Sequence, residues 1–208
     1  MKGLILKDLF NLRRYLKTYA MFFLIYGVLS FMQQDASFFS GALVVIISLL
    51  PISCMSLDEY AHWDIYAQCL PLSKKCIVGE KYVLAMLISI IAGGLSFVFQ
   101  IVVSALMGLP IDFLTAFLVV CACILVSQFL NAIVVPTVIK YGADKARYVI
   151  MLVALVPTLF VLFLSKTNIP KPSEDVLQSL PYIGIIVAVA AIAISYFVSV
   201  KLYTQKEF

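Results

Sequence analysis

The sequence predicts an all-α protein with six transmembrane helices. Of its 208 residues, 63% are hydrophobic and only 12% are charged, and the charged residues leave long gaps between them. The mean hydropathy of +1.08 is higher than a soluble core requires. Because an unpaired charge is costly at the centre of a bilayer, the gaps between charges should mark the spans.

Six stretches without a charged side chain are long enough to cross a bilayer as helices. They contain 17 to 30 residues, and a spanning helix needs about 17 to 25. The six predicted spans are residues 18–34, 36–57, 82–111, 113–139, 148–165 and 176–200. The third is the longest, so we expect it to tilt, to bend at Gly93 and Gly94, or to end in the interface. Spanning strands would alternate apolar and polar residues, whereas residues 42–50 are continuously apolar.

The distribution of lysine and arginine predicts that both termini are cytoplasmic. With the amino terminus inside, 13 of the 15 basic residues lie on the inner side, and only Lys166 and Lys171 lie outside. No segment between spans is long enough for a soluble domain. We therefore expect one domain, residues 1–208, which crosses the cell membrane several times.

The first 17 residues predict a helix at the membrane surface. Ile5, Leu9, Leu12 and Leu16 follow helical spacing, and basic residues occupy the other faces. Such a helix would form an interfacial elbow before the first span. The alternative is that these residues are only the cytoplasmic start of that span.

The loop between spans two and three is the longest and most charged inner loop. Pro71 should end a short helix, and Ser73 is placed to cap the helix that becomes span three. Before Pro71, the loop combines carboxylates with Tyr60, Trp63 and Tyr66. Such aromatic residues are typical of partner interfaces, but they also occur in the headgroup region, and the sequence leaves both interpretations open.

The spans lack the residues that ion-driven transport or catalysis would require. None contains a carboxylate, a lysine, an arginine or the single histidine, His62. No HExxH pair and no GxxxxGK[ST] phosphate loop occurs, and His62 has no second histidine or cysteine pair nearby. We therefore predict no catalytic, metal-binding or cofactor-binding residues in this chain, and any nucleotide hydrolysis would belong to another chain.

Three amide side chains are the main polar groups within the spans. Gln100, Gln128 and Asn131 could line a translocation pathway, or they could join helices through hydrogen bonds. The second role is the more common one in membrane proteins. The sequence alone does not choose between the two.

Several short motifs together resemble the ABC-2 type permease family, in particular its small six-helix bacterial members. The chain opens with a Lys-Asp motif in residues 1–9, and an acidic, tryptophan-containing loop leads to an LP-x-S-[RK]-[RK] turn and a Lys-Tyr pair before span three. The matching positions after the start are Asp58, Glu59, Trp63, Leu70, Pro71, Ser73, Lys74, Lys75, Lys81 and Tyr82. Six helices with both ends inside also match the family.

The resemblance implies the transmembrane subunit of an ATP-driven exporter rather than an enzyme. A separate nucleotide-binding subunit would hold ATP and magnesium and would contact the first inner loop, which acts as a coupling helix in this family. The residues expected at that contact are Asp58, Glu59, Tyr60, Trp63 and Tyr66. A lesser contact is expected from the second inner loop, at Lys140, Asp144, Lys145 and Arg147.

The resemblance also suggests an assembly and a cargo. One six-helix chain is half of a pathway, so a second copy or a paralogue should complete it, and a two-fold pair is the simplest arrangement. Similar small permeases export phenol-soluble modulins or confer resistance to antimicrobial peptides, which suggests an amphipathic peptide cargo. The alternative is a membrane-embedded immunity or sensor protein that binds peptides without transport.

Overall fold

The structure is a computed structural model that describes residues 2–110, 112–146, 148–149, 151–152 and 174–205, with only the backbone described for 174–183. The described residues are almost entirely helical. The principal helices are α1 Lys2–Leu12, α2 Leu16–Gln33, α3 Ala36–Ser48, α4 Leu50–Tyr60, α5 Trp63–Cys69, α6 Lys74–Met107, α7 Phe113–Tyr141 and α8 Glu174–Gln205.

Five segments of the described chain are long and apolar enough to cross a membrane. They are Gly3–Gln33, Ala36–Tyr60, Lys74–Met107, Phe113–Tyr141 and Gly184–Gln205. They coincide with five of the six predicted spans. Most of the remaining span, predicted at 148–165, lies outside the described residues.

The amino-terminal segment forms a separate helix, α1, before α2. A 3-10 turn at Arg13–Tyr15 separates α1 from α2. Along α1, Leu4, Asp8 and Leu12 are buried at intervals of four residues, so these three side chains share one face of the helix. That face packs inward. A carboxylate therefore lies in the middle of the buried stripe.

The predicted second span consists of two helices, α3 and α4, with a break at Leu49. Pro51 has no backbone N–H, and it occupies the first turn of α4. The backbone N–H of Ile52 donates to the carbonyl of Leu49 at 3.1 Å instead of continuing the α-helical pattern to Ser48. The break therefore leaves the Ser48 carbonyl without that helical partner in the middle of the span.

Helix α6 is continuous over 34 residues and does not break at the predicted glycine pair. It begins at Lys74, where the hydroxyl oxygen of Ser73 accepts a hydrogen bond from the Cys76 N–H at 3.2 Å, so the predicted cap is confirmed. At Gly93, a Cβ atom would lie 2.5 Å from a methyl group of Ile124. The glycine thus permits close approach of α6 and α7.

Two buried apolar clusters hold the bundle together. One lies near the carboxyl-terminal ends of α7 and α8 and contains Val134, Val138 and Tyr203. The other joins the first turns of the chain to α3, α4 and α6 and contains Leu12, Leu43 and Leu84. Between the two clusters, at the end of the bundle where α4 leads into α5, lies a group of charged side chains.

Candidate functional site

Five charged side chains form a mostly buried group that we call the ion cluster: Lys7, Asp8, Asp58, Glu80 and Lys81. Asp8 is 0% exposed, Glu80 is 1% exposed, and Asp58 and Lys81 are each 7% exposed. Buried charges are costly unless they are paired and hydrogen-bonded. The contacts within the cluster pair each of these charges, although Oδ1 of Asp8 and Oε1 of Glu80 have no hydrogen-bond partner among the described residues.

Lys81 is the central cation of the ion cluster. Its Nζ atom lies 2.7 Å from Oδ2 of Asp8 and 2.6 Å from Oδ2 of Asp58. A third carboxylate oxygen, Oε2 of Glu80, is 3.3 Å from the same nitrogen. All three contacts lie within ion-pair distance, so a single ammonium group joins α1, α4 and α6.

Lys7 extends the ion cluster to α5. Its Nζ atom is 2.9 Å from Oδ1 of Asp8 and 2.6 Å from Oδ1 of Asp58. The same nitrogen lies 4.1 Å from the centroid of the Trp63 ring, within the range of a cation–π interaction. A displacement of Trp63 would therefore alter the contacts of a cation that also binds Asp8 and Asp58.

Three further contacts attach residues 59–74, which we call the segment around α5, to the rest of the bundle. Glu59 accepts a hydrogen bond from the Ala143 backbone N–H at 2.6 Å. The Tyr203 hydroxyl donates to Asp64 at 3.4 Å, and Lys74 Nζ donates to the Thr204 carbonyl at 3.4 Å. The segment is thus connected to the turn after α7 and to the last turn of α8, as well as to α1.

The cavity beside the ion cluster is small. Its volume is about 50 Å³, and its lining includes Asp58, Lys81 and Tyr203. A cavity of this size can hold water, but it is far below the several hundred Å³ of a typical ligand pocket. The geometry thus favours a role in holding helices together over a small-molecule binding site.

Gly142 permits the contact between Glu59 and the turn after α7. Its φ is +86°, and a Cβ atom at this position would lie 2.5 Å from Oε1 of Glu59. Both the backbone conformation and the space therefore require glycine. The Glu59 carboxylate reaches the Ala143 N–H only because no side chain intervenes.

Replacing Gly142 with alanine should lower the free energy of unfolding by about 1–2 kcal/mol, because alanine is strained at positive φ and collides with Glu59. The measurement is thermal unfolding of the purified protein in detergent. Gly3→Ala is the matched control, since a Cβ atom at Gly3 has nothing within 4 Å. Equal stability of the two variants would contradict the assigned role of Gly142.

The residues predicted to contact an ATPase divide into two sets. Asp58 is buried in the ion cluster, and Trp63 is half-buried with its ring centroid 5.2 Å from that of Tyr66. Tyr60 and Tyr66 are 68% and 58% exposed. Glu59 is also exposed, although its carboxylate is bound to Ala143. The surface of this segment is therefore aromatic, and its inner side is charged.

The second predicted contact lies beside the first. Lys140, Asp144 and Lys145 are exposed at the end of α7 and in the helical residues that follow Gly142. Lys140 Nζ lies 4.9 Å from the centroid of the Tyr141 ring. Because Glu59 binds Ala143, the structure brings the two predicted contact regions together. Arg147 lies outside the described residues.

The three amides within the spans all make hydrogen bonds between helices. Gln100 accepts from the Ser40 hydroxyl at 3.0 Å and donates to the Ser37 hydroxyl oxygen at 2.9 Å. Gln128 donates to the Ala85 carbonyl at 3.4 Å, and Asn131 donates to the Ser48 carbonyl at 3.0 Å. These contacts show that each amide joins two helices, and a pathway lining at these positions stays a prediction. Asn131 also supplies the donor that the break at Leu49 removes from Ser48.

Sequence reasoning did not predict the ion cluster. It assigned Asp58 to a partner contact, and it treated Lys7, Asp8, Glu80 and Lys81 as markers of span ends or of family motifs. A usable signal was present, because Lys7-Asp8 and Glu80-Lys81 are adjacent opposite charges in or next to apolar helical segments. Charges at such positions usually have partners.

A comparison with protein families gives a match along nearly the whole chain. The family model described as ABC-2 family transporter protein matches residues 3–204, in agreement with the resemblance found from the motifs. No curated protein and no solved structure gives a significant match to the chain.

Proposed function

Because the chain belongs to the ABC-2 transporter family, we propose that it is the membrane-spanning subunit of an ATP-driven exporter and that a separate ATPase subunit powers it. The family match over residues 3–204 supports a membrane transport component, and the family generally works with an ABC ATPase. ATP and magnesium would bind to that partner. Both termini and the α5 end of the bundle would face the cytoplasm.

The proposal rests on one observation: the segment around α5 has an aromatic outer surface and an inner side that contacts the ion cluster. Tyr60 and Tyr66 are exposed on its surface, while Lys7 contacts Trp63 from the inner side. Exposed aromatic side chains are common anchors of protein interfaces. An ATPase that binds this aromatic surface could therefore displace a segment that contacts α1, α4, α6, α7 and α8.

The contact with the ATPase would include the turn after α7 and exclude Asp58. Lys140, Asp144 and Lys145 are exposed next to the segment around α5, so one partner surface can cover both regions. Asp58 is buried, and its role would be to transmit displacement to Lys7 and Lys81. Trp63 would belong to both parts, since it is half-buried and touches Lys7.

The proposed cargo is an amphipathic peptide of the phenol-soluble modulin or antimicrobial type. Residues 82–111 and 113–139 contain no charged side chain, and the amides at Gln100 and Asn131 are engaged between helices. A pathway formed by such helices would be apolar and would suit a peptide with an apolar face. A second copy of the chain or a paralogue would complete the pathway.

The test is co-purification of the chain with a candidate ABC ATPase from the same organism, from membranes in a mild detergent. We expect Tyr60→Ala/Tyr66→Ala to reduce the bound ATPase by about tenfold or more, since two aromatic anchors of about 1–2 kcal/mol each would be lost. Phe38→Ala/Phe113→Ala is the matched control, because these exposed aromatics lie at the opposite end of the bundle.

Two outcomes would overturn the proposal. If no ATPase accompanies the wild-type chain, the exporter assignment fails, and the immunity or sensor alternative takes its place. If the ATPase binds but the tyrosine variant retains it as well as the control does, the contact lies elsewhere on the chain. Export of a fluorescent amphipathic peptide from vesicles that contain the complex, with and without ATP, then tests the cargo.

A further inference from the structure

A large apolar groove lies between the first two helices and the bundle. Its volume is about 580 Å³, and it is lined by α1 and α2 on one side and by α3, α4 and α6 on the other. On α6 the lining residues are Ile88, Ile91 and Leu95, which share one face and extend over about 10 Å of the helix. The groove thus runs from the region of the α1–α2 turn toward the middle of the span.

A basic side chain lies at the end of this groove near the α1–α2 turn. Arg13 is its only charged lining residue, and Lys17 lies four residues later, in the first turn of α2. Both side chains are exposed, and within the described residues neither takes part in an ion pair. The groove therefore combines an apolar lining with one cation at its rim, and a second exposed cation follows four residues later in the chain.

We propose that the groove is a binding site for an anionic phospholipid. An acyl chain would lie along Leu9, Phe10 and Ile91, and the phosphate group would bind Arg13 and Lys17. The charge at the rim matches an anionic headgroup, and the apolar depth matches an acyl chain. The proposal is independent of the ATPase contact, because the lipid would bind to α1, α2 and α6 rather than to α5.

The lipid would also have a structural effect on the ion cluster. Leu9 and Phe10 line the groove on the turn of α1 that follows Lys7 and Asp8. An acyl chain against Leu9 and Phe10 would fill the space between α1 and α6 beside the ion cluster and would pack against both helices. Bound lipid would thus stabilise the position of α1 in which Asp8 meets Lys81.

The experiment uses lipid quenching of a single tryptophan in the groove. Phe10 is 64% exposed and lines the groove, so Phe10→Trp in a Trp63→Phe background places the only tryptophan beside the bound lipid. The full-length chain is reconstituted in phosphatidylcholine nanodiscs with increasing brominated phosphatidylglycerol or brominated phosphatidylcholine. We expect half-maximal quenching at a mole fraction of brominated phosphatidylglycerol about 25-fold lower than that of brominated phosphatidylcholine, since each of the two basic side chains would contribute about fivefold.

Two pairs of variants test the two parts of the site. Arg13→Gln/Lys17→Gln should remove the preference for phosphatidylglycerol, whereas Lys75→Gln/Lys201→Gln, at exposed positions elsewhere, should retain it. Ile91→Phe should reduce quenching because it fills the groove. Ile90→Phe should leave quenching unchanged, because Ile90 has nearly the same exposure, 53% against 54%, but does not line the groove.

Three results would overturn the proposal. Equal quenching by the two brominated lipids would show a nonspecific annular contact. An undiminished preference in Arg13→Gln/Lys17→Gln would place the headgroup elsewhere. Absence of quenching by either lipid, together with disulfide formation between two chains that carry Phe10→Cys, would show that a second copy of the protein occupies the groove.

Discussion

Replacing Lys81 with methionine should lower the free energy of unfolding by about 3–5 kcal/mol, because removal of one partner leaves buried charges unpaired. Lys81 is the only cation within ion-pair distance of Glu80 in the ion cluster, and it also binds Asp8 and Asp58. In its absence, Lys7 would face three buried carboxylates alone. The corresponding fall in the unfolding temperature is about 6–20 °C for a chain of this length.

Glu80→Gln is the control for Lys81→Met, because it changes the charge balance of the ion cluster in the opposite direction. The cluster contains two cations and three carboxylates, so Glu80→Gln leaves two of each and should change the stability by less than about 1 kcal/mol. Lys75→Met, at an exposed position two residues from the cap, should have no effect. The readout is survival of the monodisperse protein after heating in detergent. Equal losses in Lys81→Met and Glu80→Gln would contradict the assigned pairing.

Replacing Asn131 with leucine should lower the free energy of unfolding by about 1–3 kcal/mol, because it leaves a buried carbonyl without a donor. The break at Leu49 turns the Ile52 N–H away from the Ser48 carbonyl, and Asn131 donates to that carbonyl at 3.0 Å. The break lies within a spanning segment, where no water can take the place of the amide. Asn131 is also 2% exposed, so the loss cannot be relieved by a small movement.

Gln128→Leu is the matched control for Asn131→Leu. Gln128 is an amide on the same helix, but it is only half-buried and its hydrogen bond to Ala85 is 3.4 Å long. We expect a change within about 0.5 kcal/mol for this variant. If thermal unfolding in detergent shows equal effects at the two positions, the Ser48 carbonyl must obtain its hydrogen bond from another donor.

The spans could be predicted from the sequence because one physical cost dominates their positions. Charges are excluded from the bilayer centre, so the gaps at 36–57, 82–111 and 113–139 coincide with the helical segments that the structure shows. The break at Leu49 was predictable only as a kink at Pro51. Its repair by Asn131 depends on the distance between α3 and α7, which no local pattern encodes.

Adjacent opposite charges indicated that Lys7, Asp8, Glu80 and Lys81 need partners, but the contacts between helices were not predictable because those partners are far apart along the chain. Lys7 and Asp58 are separated by 51 positions, and Asp8 and Lys81 by 73. Asp58 and Glu59 illustrate the difficulty, since a helix rotates by about 100° per residue and directs adjacent carboxylates to different surroundings. One is buried against Lys81, and the other reaches Ala143. Only the packing of α4 distinguishes them.

The distance along the chain between Asp8 and Lys81 also sets an order of events during synthesis. The carboxylate on α1 leaves the ribosome 73 residues ahead of its ammonium partner on α6. At about 5–20 residues per second, that interval is about 4–15 s. During this time Asp8 must stay hydrated at the membrane surface, and α1 can close against the bundle only after α6 has been inserted. Helix α1 is therefore made before α6 but reaches its final position only after it.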